Sequence, residues 1–164
     1  MRFISSQAFT KLEGQLIYHS EEYSFDFRPL SHQALANRVG NEGTTSITID
    51  TLQIEVDIES GLVLYVFGYY PDKLWDLEKL PLITPQQGCI KVITDEKLKM
   101  GVSQTLADFN EWRTIYDLDS KWICISSTND LYQSAQYIEF ADNIVAVLVG
   151  ENLSSLWLKP FNLV

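Results

Sequence analysis

Two cysteines, two histidines and no long apolar run deprive this chain of several common chemistries. Cys89 and Cys124 each lie in an apolar, strand-like stretch, Cys-Ile-Lys-Val-Ile and Lys-Trp-Ile-Cys-Ile. They read as small buried thiols and supply no disulfide framework. His19 and His32 have no partner at the spacing of a zinc or hydrolase motif, so an imidazole-dependent triad or metal site is not expected. A glycine-rich phosphate loop, Gly-x-Ser-x-Gly and His-Glu-x-x-His are all missing, and Gly101-Val102-Ser103 lacks the second glycine of a nucleophile elbow. No cofactor is expected. The first residues, Met1-Arg2-Phe3-Ile4-Ser5-Ser6-Gln7, contain no continuous apolar stretch of the kind a secretion signal needs. The longest apolar runs, such as residues 144–149, are far too short to span a bilayer. The expectation is a cytoplasmic protein.

Positive charge is scarce as well: 12 Lys plus Arg face 22 Asp plus Glu, a formal net charge of −10. The imbalance is regional. Between residues 42 and 78, Glu42, Asp50, Glu55, Asp57, Glu59, Asp72, Asp76 and Glu78 are opposed by Lys73 alone. Such a field repels phosphate backbones and anionic lipid surfaces, which are bound mainly by Lys and Arg, and it attracts basic proteins. Neither a nucleic acid nor a membrane is expected as partner.

What is present describes a folded protein. Apolar residues make up 46% and aromatics 12% of 164 residues, which argues against disorder. A chain of this length buries roughly 70% of the surface its unfolded form exposes, enough for one good core. Without internal repeats or low-complexity tracts, residues 1–164 read as a single globular domain.

Along the chain, residues 15–19 and 23–27 alternate as a hairpin around Ser20-Glu21-Glu22. Ser31 caps a short helix through Leu35 and Val39 that Gly40 ends. Alternation continues from Ser46 to Glu59 with a change of phase near Thr51, read as a bulge or bend in one strand. Ser60-Gly61 turns into residues 62–67, apolar on both faces and so a central strand. Pro71 opens a short helix through Asp72, Leu74, Trp75, Leu77 and Glu78. Residues 89–94 form a strand. Ser103 caps a helix in which Leu106, Phe109, Trp112 and Tyr116 share a face. The rest reads as a meander of strands at 121–126, 135–140, 144–149 and 154–161. The expected fold is α+β: predominantly antiparallel sheet with hairpins and a C-terminal meander, packed with two to four short helices.

Two clusters stand out as candidate surfaces. In Leu52-Gln53-Ile54-Glu55-Val56-Asp57-Ile58-Glu59 the apolar residues take even positions, leaving Glu55, Asp57 and Glu59 in a row on the other face. Acids two apart on a strand lie roughly 6.5–7 Å from each other, too far for neighbours to share one cation, and a solvated face does not raise a carboxyl pKa for acid catalysis. The row is either plain solvated surface or a site for a basic partner. The second cluster, Tyr69-Tyr70-Pro71-Asp72-Lys73-Leu74-Trp75-Asp76, mixes aromatics with acids. Tyr70 or Trp75 is expected as an aromatic anchor beside Asp72 and Asp76, the alternative being that these rings cover the sheet.

The stretch from Gly61 through Val63-Leu64-Tyr65-Val66-Phe67-Gly68-Tyr69-Tyr70-Pro71 to Trp75, and the terminal Ser154-Ser155-Leu156-Trp157-Leu158-Lys159-Pro160-Phe161, resemble segments of the small acidic immunity proteins of bacterial polymorphic-toxin and contact-dependent growth inhibition systems. The resemblance implies a non-enzymatic cytoplasmic antitoxin. Such a protein binds the toxic C-terminal domain of a cognate effector, commonly a cationic nuclease, and blocks its active site or substrate groove. A carboxylate surface then mimics the electrostatics of the nucleic acid it excludes. Two other classes stay in play. One is a small ligand-binding protein or enzyme with a pocket between sheet and helix, drawing on Asp108, Glu111, Asp117 or Asp119. The other is a nucleic-acid-binding β-domain with a basic face of Lys91, Lys97, Lys99 and Arg113.

Overall fold

The computed structural model describes residues 1–106, 112–127 and 134–163. Its strands are β1 (Arg2–Ser6), β2 (Gly14–His19), β3 (Ser24–Pro29), β4 (Thr44–Ile49), β5 (Leu52–Asp57), β6 (Val63–Tyr69), β7 (Asp76–Leu77), β8 (Gln86–Gln87), β9 (Cys89–Ile93), β10 (Gln104–Thr105), β11 (Trp112–Tyr116), β12 (Ile123–Ser127), β13 (Gln136–Ala141), β14 (Ile144–Val149) and β15 (Asn152–Leu158). Helix among the described residues amounts to α1 (His32–Ala36) and a 3₁₀ turn at Asp72–Leu74. The protein is therefore mostly β, and the expected two to four helices are not borne out among the described residues.

Three sheets form: β1 with β9, a six-stranded sheet in the order β10-β4-β5-β6-β3-β2, and a seven-stranded sheet in the order β7-β11-β12-β15-β14-β13-β8. Most pairings are antiparallel. The three two-residue strands β7, β8 and β10 instead pair in parallel, β7 and β8 at the two edges of the seven-stranded sheet and β10 at one edge of the other.

The change of phase near Thr51 marks a tight hairpin, not a bend in one strand. Ile49 pairs with Leu52 across the two-residue turn Asp50-Thr51, with Asp50 at φ 52°, and Ile47 pairs with Ile54. Cross-strand partners share a face, and positions three apart have opposite parity. Odd-numbered isoleucines in β4 and even-numbered ones in β5 therefore line the same core. The next strand, β6, lies inside the sheet between β5 and β3 as expected of a run apolar on both faces. Its Leu64, with Leu62 and Cys89, is covered by Leu35 and Val39 from the α1 segment.

Residues 103–116 do not form a helix where they are described. β10 adds to β4 at Ile47 and Thr48, while Trp112 to Tyr116 pair antiparallel with β12. Trp112 and Tyr116 are four apart, a spacing that also puts them on one side of a strand, and the β-branched Thr114 and Ile115 between them favour the strand. Phe109, counted on that expected helical face, lies outside the described residues. Nor does Pro71 open a helix. It precedes the single 3₁₀ turn, after which Asp76 and Leu77 pair with Ile115 and Tyr116. The C-terminal meander holds for β13, β14 and β15, but β12 pairs with β15 and not with β13.

One apolar cluster unites the sheets, with Phe3 from β1, Leu16 from β2, Ile54 from β5, Ile125 from β12 and Leu156 from β15 all at 1% exposure or less. Burying one such side chain contributes about 1.5–3 kcal/mol. The outer face of the seven-stranded sheet carries a second patch, Cys124, Val145, Val147 and Trp157, against which Leu80 and Ile83 pack. These two come from residues 78–85, which run from edge strand β7 to edge strand β8. Nine steps from Leu77 to Gln86 at about 3.3 Å cover about 30 Å, and six inter-strand spacings of about 4.8 Å come to about 29 Å. The segment must be nearly extended to make the crossing, which suits Pro81 and Pro85. It acts as a strap, and β14 beneath it is apolar on both faces because both are covered.

Candidate functional site

The acid row of β5 is dispersed into structural roles. Asp57 is buried, at 2% exposure. Its Oδ1 accepts the Gly40 N–H at 2.8 Å and its Oδ2 accepts the Ser60 N–H at 2.9 Å and the Ser60 hydroxyl at 2.6 Å. Glu59 lies beyond the strand, exposed, and accepts the Glu42 N–H at 2.9 Å. Glu55 is half-buried and accepts the Ser46 hydroxyl at 3.0 Å. Asp57 and Glu59 thus tie the loop at 40–42 to the turn after β5. The expectation that the three form one solvated face fails at Asp57, because N–H groups left over by the loop and turn need an acceptor there.

The expected aromatic anchors also turn inward. Trp75 is half-buried, stacked on Phe25 at 6.1 Å between centroids with a 15° interplanar angle, and close to Tyr18 and Tyr116. Tyr70 shares a hydrogen bond with the Thr114 hydroxyl at 2.6 Å. Burial, with the Asp50 charge adding, pushes its hydroxyl pKa up, against the lowering effect of the Thr114 bond. Both rings cover the sheet. Asp76 and Glu78 are exposed and share the Arg113 guanidinium.

A different grouping stays open to solvent, at one end of the six-stranded sheet. Pairing of Ser24 with Tyr69 sets the β2–β3 turn against the end of β6, and the Tyr70 N–H donates to the Tyr23 carbonyl at 2.6 Å. The β4–β5 turn reaches the same end, its Thr51 carbonyl lying beside Gly68. Glu21, Glu22 and Asp50 are exposed there and Asp72 is half-buried. Four carboxylates and the Lys73 ammonium give this end a formal −3. Among them stand Tyr69, 51% exposed, and Leu74, 82% exposed. Tyr23 meets Tyr69 edge to face at 6.4 Å, and the Lys73 Nζ sits 5.0 Å from the centroid of the Tyr23 ring. Interaction with the Tyr23 side chain, followed by the Asp72 charge, raises the Lys73 pKa. Tyr23 holds φ 53°, a left-handed backbone conformation unusual for a bulky residue, which local structure must hold in place. Beneath the surface the Tyr18 hydroxyl donates to the Tyr70 carbonyl at 2.9 Å, and burial followed by the Asp72 charge pushes its pKa up to about 12.

Of the sequence-derived candidates, Asp72 belongs to this end, Asp76 lies beyond it on β7, and Glu55, Asp57 and Glu59 do not belong. Tyr69 and Leu74 fall within the second sequence cluster but are not its expected anchors, and Glu21, Glu22, Tyr23 and Asp50 join them from the β2–β3 and β4–β5 turns, outside both clusters.

Of the acids considered for a catalytic pocket, Asp117 and Asp119 line one open cleft of about 250 Å³ with Glu78 among the described residues. Asp108 and Glu111 lie outside them, and Asp117 is buried, accepting the N–H groups of Leu80, Asp119 and Ser120. Those bonds, the Leu80 N–H foremost, lower its pKa to about 2. Asp119 is exposed. The basic face is likewise broken up: Lys97 pairs with Glu42 at 3.5 Å and Arg113 with Asp76 at 3.0 Å. His19 approaches Asp26 at 3.7 Å, and His32 is exposed on α1. Among the described residues no group of three or more His, Cys, Asp and Glu is placed to hold a metal ion, and no helix is long and apolar enough to cross a membrane. Compared with known proteins, the chain matches no family model, no curated protein and no solved structure.

Proposed function

We propose that this chain is an immunity protein that binds and neutralises the basic toxin domain of a cognate bacterial effector in the cytoplasm, with no chemistry of its own. The observation that carries the reading is the open sheet end, where Glu21, Glu22, Asp50 and Asp72 accompany the exposed Tyr69 and Leu74, with Lys73 in opposition. An acidic rim around an aromatic and an aliphatic side chain suits a partner rich in Lys and Arg, because the rim steers encounter and the apolar centre is desolvated on contact. Tyr23 adds a ring face that accepts cations and is filled in the free protein by the chain's own Lys73. A nuclease domain, whose groove must attract phosphates, has the complementary chemistry.

The test is stopped-flow association with the C-terminal domain of an effector encoded beside this gene, for the native chain and for E21K/E22K/D50K. In this reading the triple variant associates at least about tenfold more slowly at low salt and shows a flatter salt dependence. An unchanged rate removes the sheet end from the interface.

A further inference from the structure

A second concave surface lies where the end of β1 meets β8 and the start of β13. It encloses about 460 Å³ and is lined by Ser6, Gln7, Thr84, Gln86, Gln87 and Gln136 together with neighbouring small residues and Tyr137. The volume falls within the range of small-molecule sites, about 300–1,000 Å³. Among the described residues no Asp, Glu, Lys or Arg lines it, although these make up 21% of the chain. Its polarity comes from side-chain amides and hydroxyls.

Four of the nine glutamines in the sequence converge here. Gln7, Gln86, Gln87 and Gln136 are exposed, and among the described residues none of their amides has a hydrogen-bond partner. Each offers two N–H donors and a carbonyl acceptor on one planar group. The floor beside them is fixed. Gln86 and Gln87 pair with Ile138 and Glu139 of β13, the Gly88 N–H donates to the Glu139 carbonyl at 3.1 Å, and the Cys89 thiol donates to the Ser6 carbonyl at 3.2 Å.

We infer that this cleft is a binding site for a neutral, hydroxyl-rich ligand, a short saccharide. Its described lining offers anions and cations no opposite charge. A ligand that both donates and accepts at adjacent atoms fits: vicinal hydroxyls can bridge the oxygen and nitrogen of one amide. A strand-like peptide is less well served, because β8 already occupies the β13 edge at Ile138 and Glu139. This site is independent of the toxin-binding reading.

The experiment follows the glutamine side-chain amide signals of the full chain by ¹H–¹⁵N NMR. One arm titrates neutral disaccharides of glucose, galactose and N-acetylglucosamine, and the other a neutral Gly-Ser tetrapeptide with blocked ends. Saturable shifts of the Gln7, Gln86, Gln87 and Gln136 amides with at least one disaccharide, while Gln15, Gln33 and Gln53 stay still, support the site. Gln86→Ala and Gln136→Ala then each weaken binding by about fivefold to tenfold, the loss of one hydrogen bond, with the melting temperature unchanged. The inference is overturned by the absence of saturable shifts with any disaccharide, by saturation with the tetrapeptide alone, or by unaltered affinity in both variants.

Discussion

Asp57 and Gly40, seventeen residues apart, are joined by a 2.8 Å hydrogen bond from the Gly40 N–H to the Asp57 carboxylate, and the same carboxylate holds both the N–H and the hydroxyl of Ser60. A residue that reads as the middle of an acidic surface row is the clasp of two loops. Asp57→Ala leaves two backbone N–H groups without their acceptor and should cost about 2–4 kcal/mol in urea unfolding. Glu55→Ala, which removes one bond to an alcohol from a half-buried position, should cost about 1 kcal/mol or less. Equal losses in the two variants would contradict this division.

Asp117 makes stability depend on acid pH. Its folded-state pKa of about 2 lies below the ordinary carboxylate value, since backbone N–H groups of the strap and its turn stabilise the charged form. A depressed carboxylate pKa contributes stability that is fully present above the unfolded value of about 3.9 and is lost as pH falls toward 2. The urea midpoint of the native chain should therefore drop between pH 4 and pH 2 more steeply than that of Asp117→Asn. Parallel pH profiles would show that the strap anchor does not titrate in this window.

Tyr70 and Tyr116 should respond oppositely to loss of the hydroxyl. The Tyr70 hydroxyl is bonded to Thr114 at 2.6 Å, whereas the Tyr116 hydroxyl is buried without a hydrogen-bond partner among the described residues. Tyr70→Phe should lower stability by about 1 kcal/mol, and Tyr116→Phe should leave it unchanged or raise it by up to about 1 kcal/mol. Thermal or chemical denaturation of the pair of variants reads the difference directly.

Gly61→Ala should be among the most damaging small substitutions. Gly61 stands at φ +72°, and a Cβ there would run into the Val92 carbonyl, which is backbone and cannot rotate away. The Gly61 carbonyl also accepts the Val92 N–H at 2.8 Å, so relaxing the clash pulls at the attachment of β9. A loss of about 2 kcal/mol or more is expected from strain and displaced packing together.

Much of the strand content was legible because alternation is a local signal. The β2–β3 and β13–β14 hairpins and the both-faces-apolar β6 follow from residue patterns within a few positions. Misreadings arose where a local pattern fits two structures. Trp112 and Tyr116 satisfy helical and strand spacing alike, and the parity change at Thr51 fits a bulge as well as a two-residue hairpin. The short parallel strands β7, β8 and β10 carry no periodicity at all, since their partners lie 39, 52 and 57 residues away along the chain. The candidate surface was half legible for a similar reason. Glu55, Asp57 and Glu59 have the period of an exposed face, but besides the nearby Ser60 N–H the backbone donors that claim Asp57 and Glu59 come from residues 40 and 42, and no pattern within the strand announces those two.

The most direct test of the account compares two triple charge reversals of equal size for association with the toxin domain encoded beside the gene. E21K/E22K/D50K alters the open sheet end, and E13K/D95K/D119K alters exposed acids elsewhere. If the sheet end receives a basic partner, the first variant binds at least about tenfold more slowly at low salt and the second stays within about threefold of the native chain. Equal slowing by both, or slowing by neither, would contradict a localised acidic docking surface.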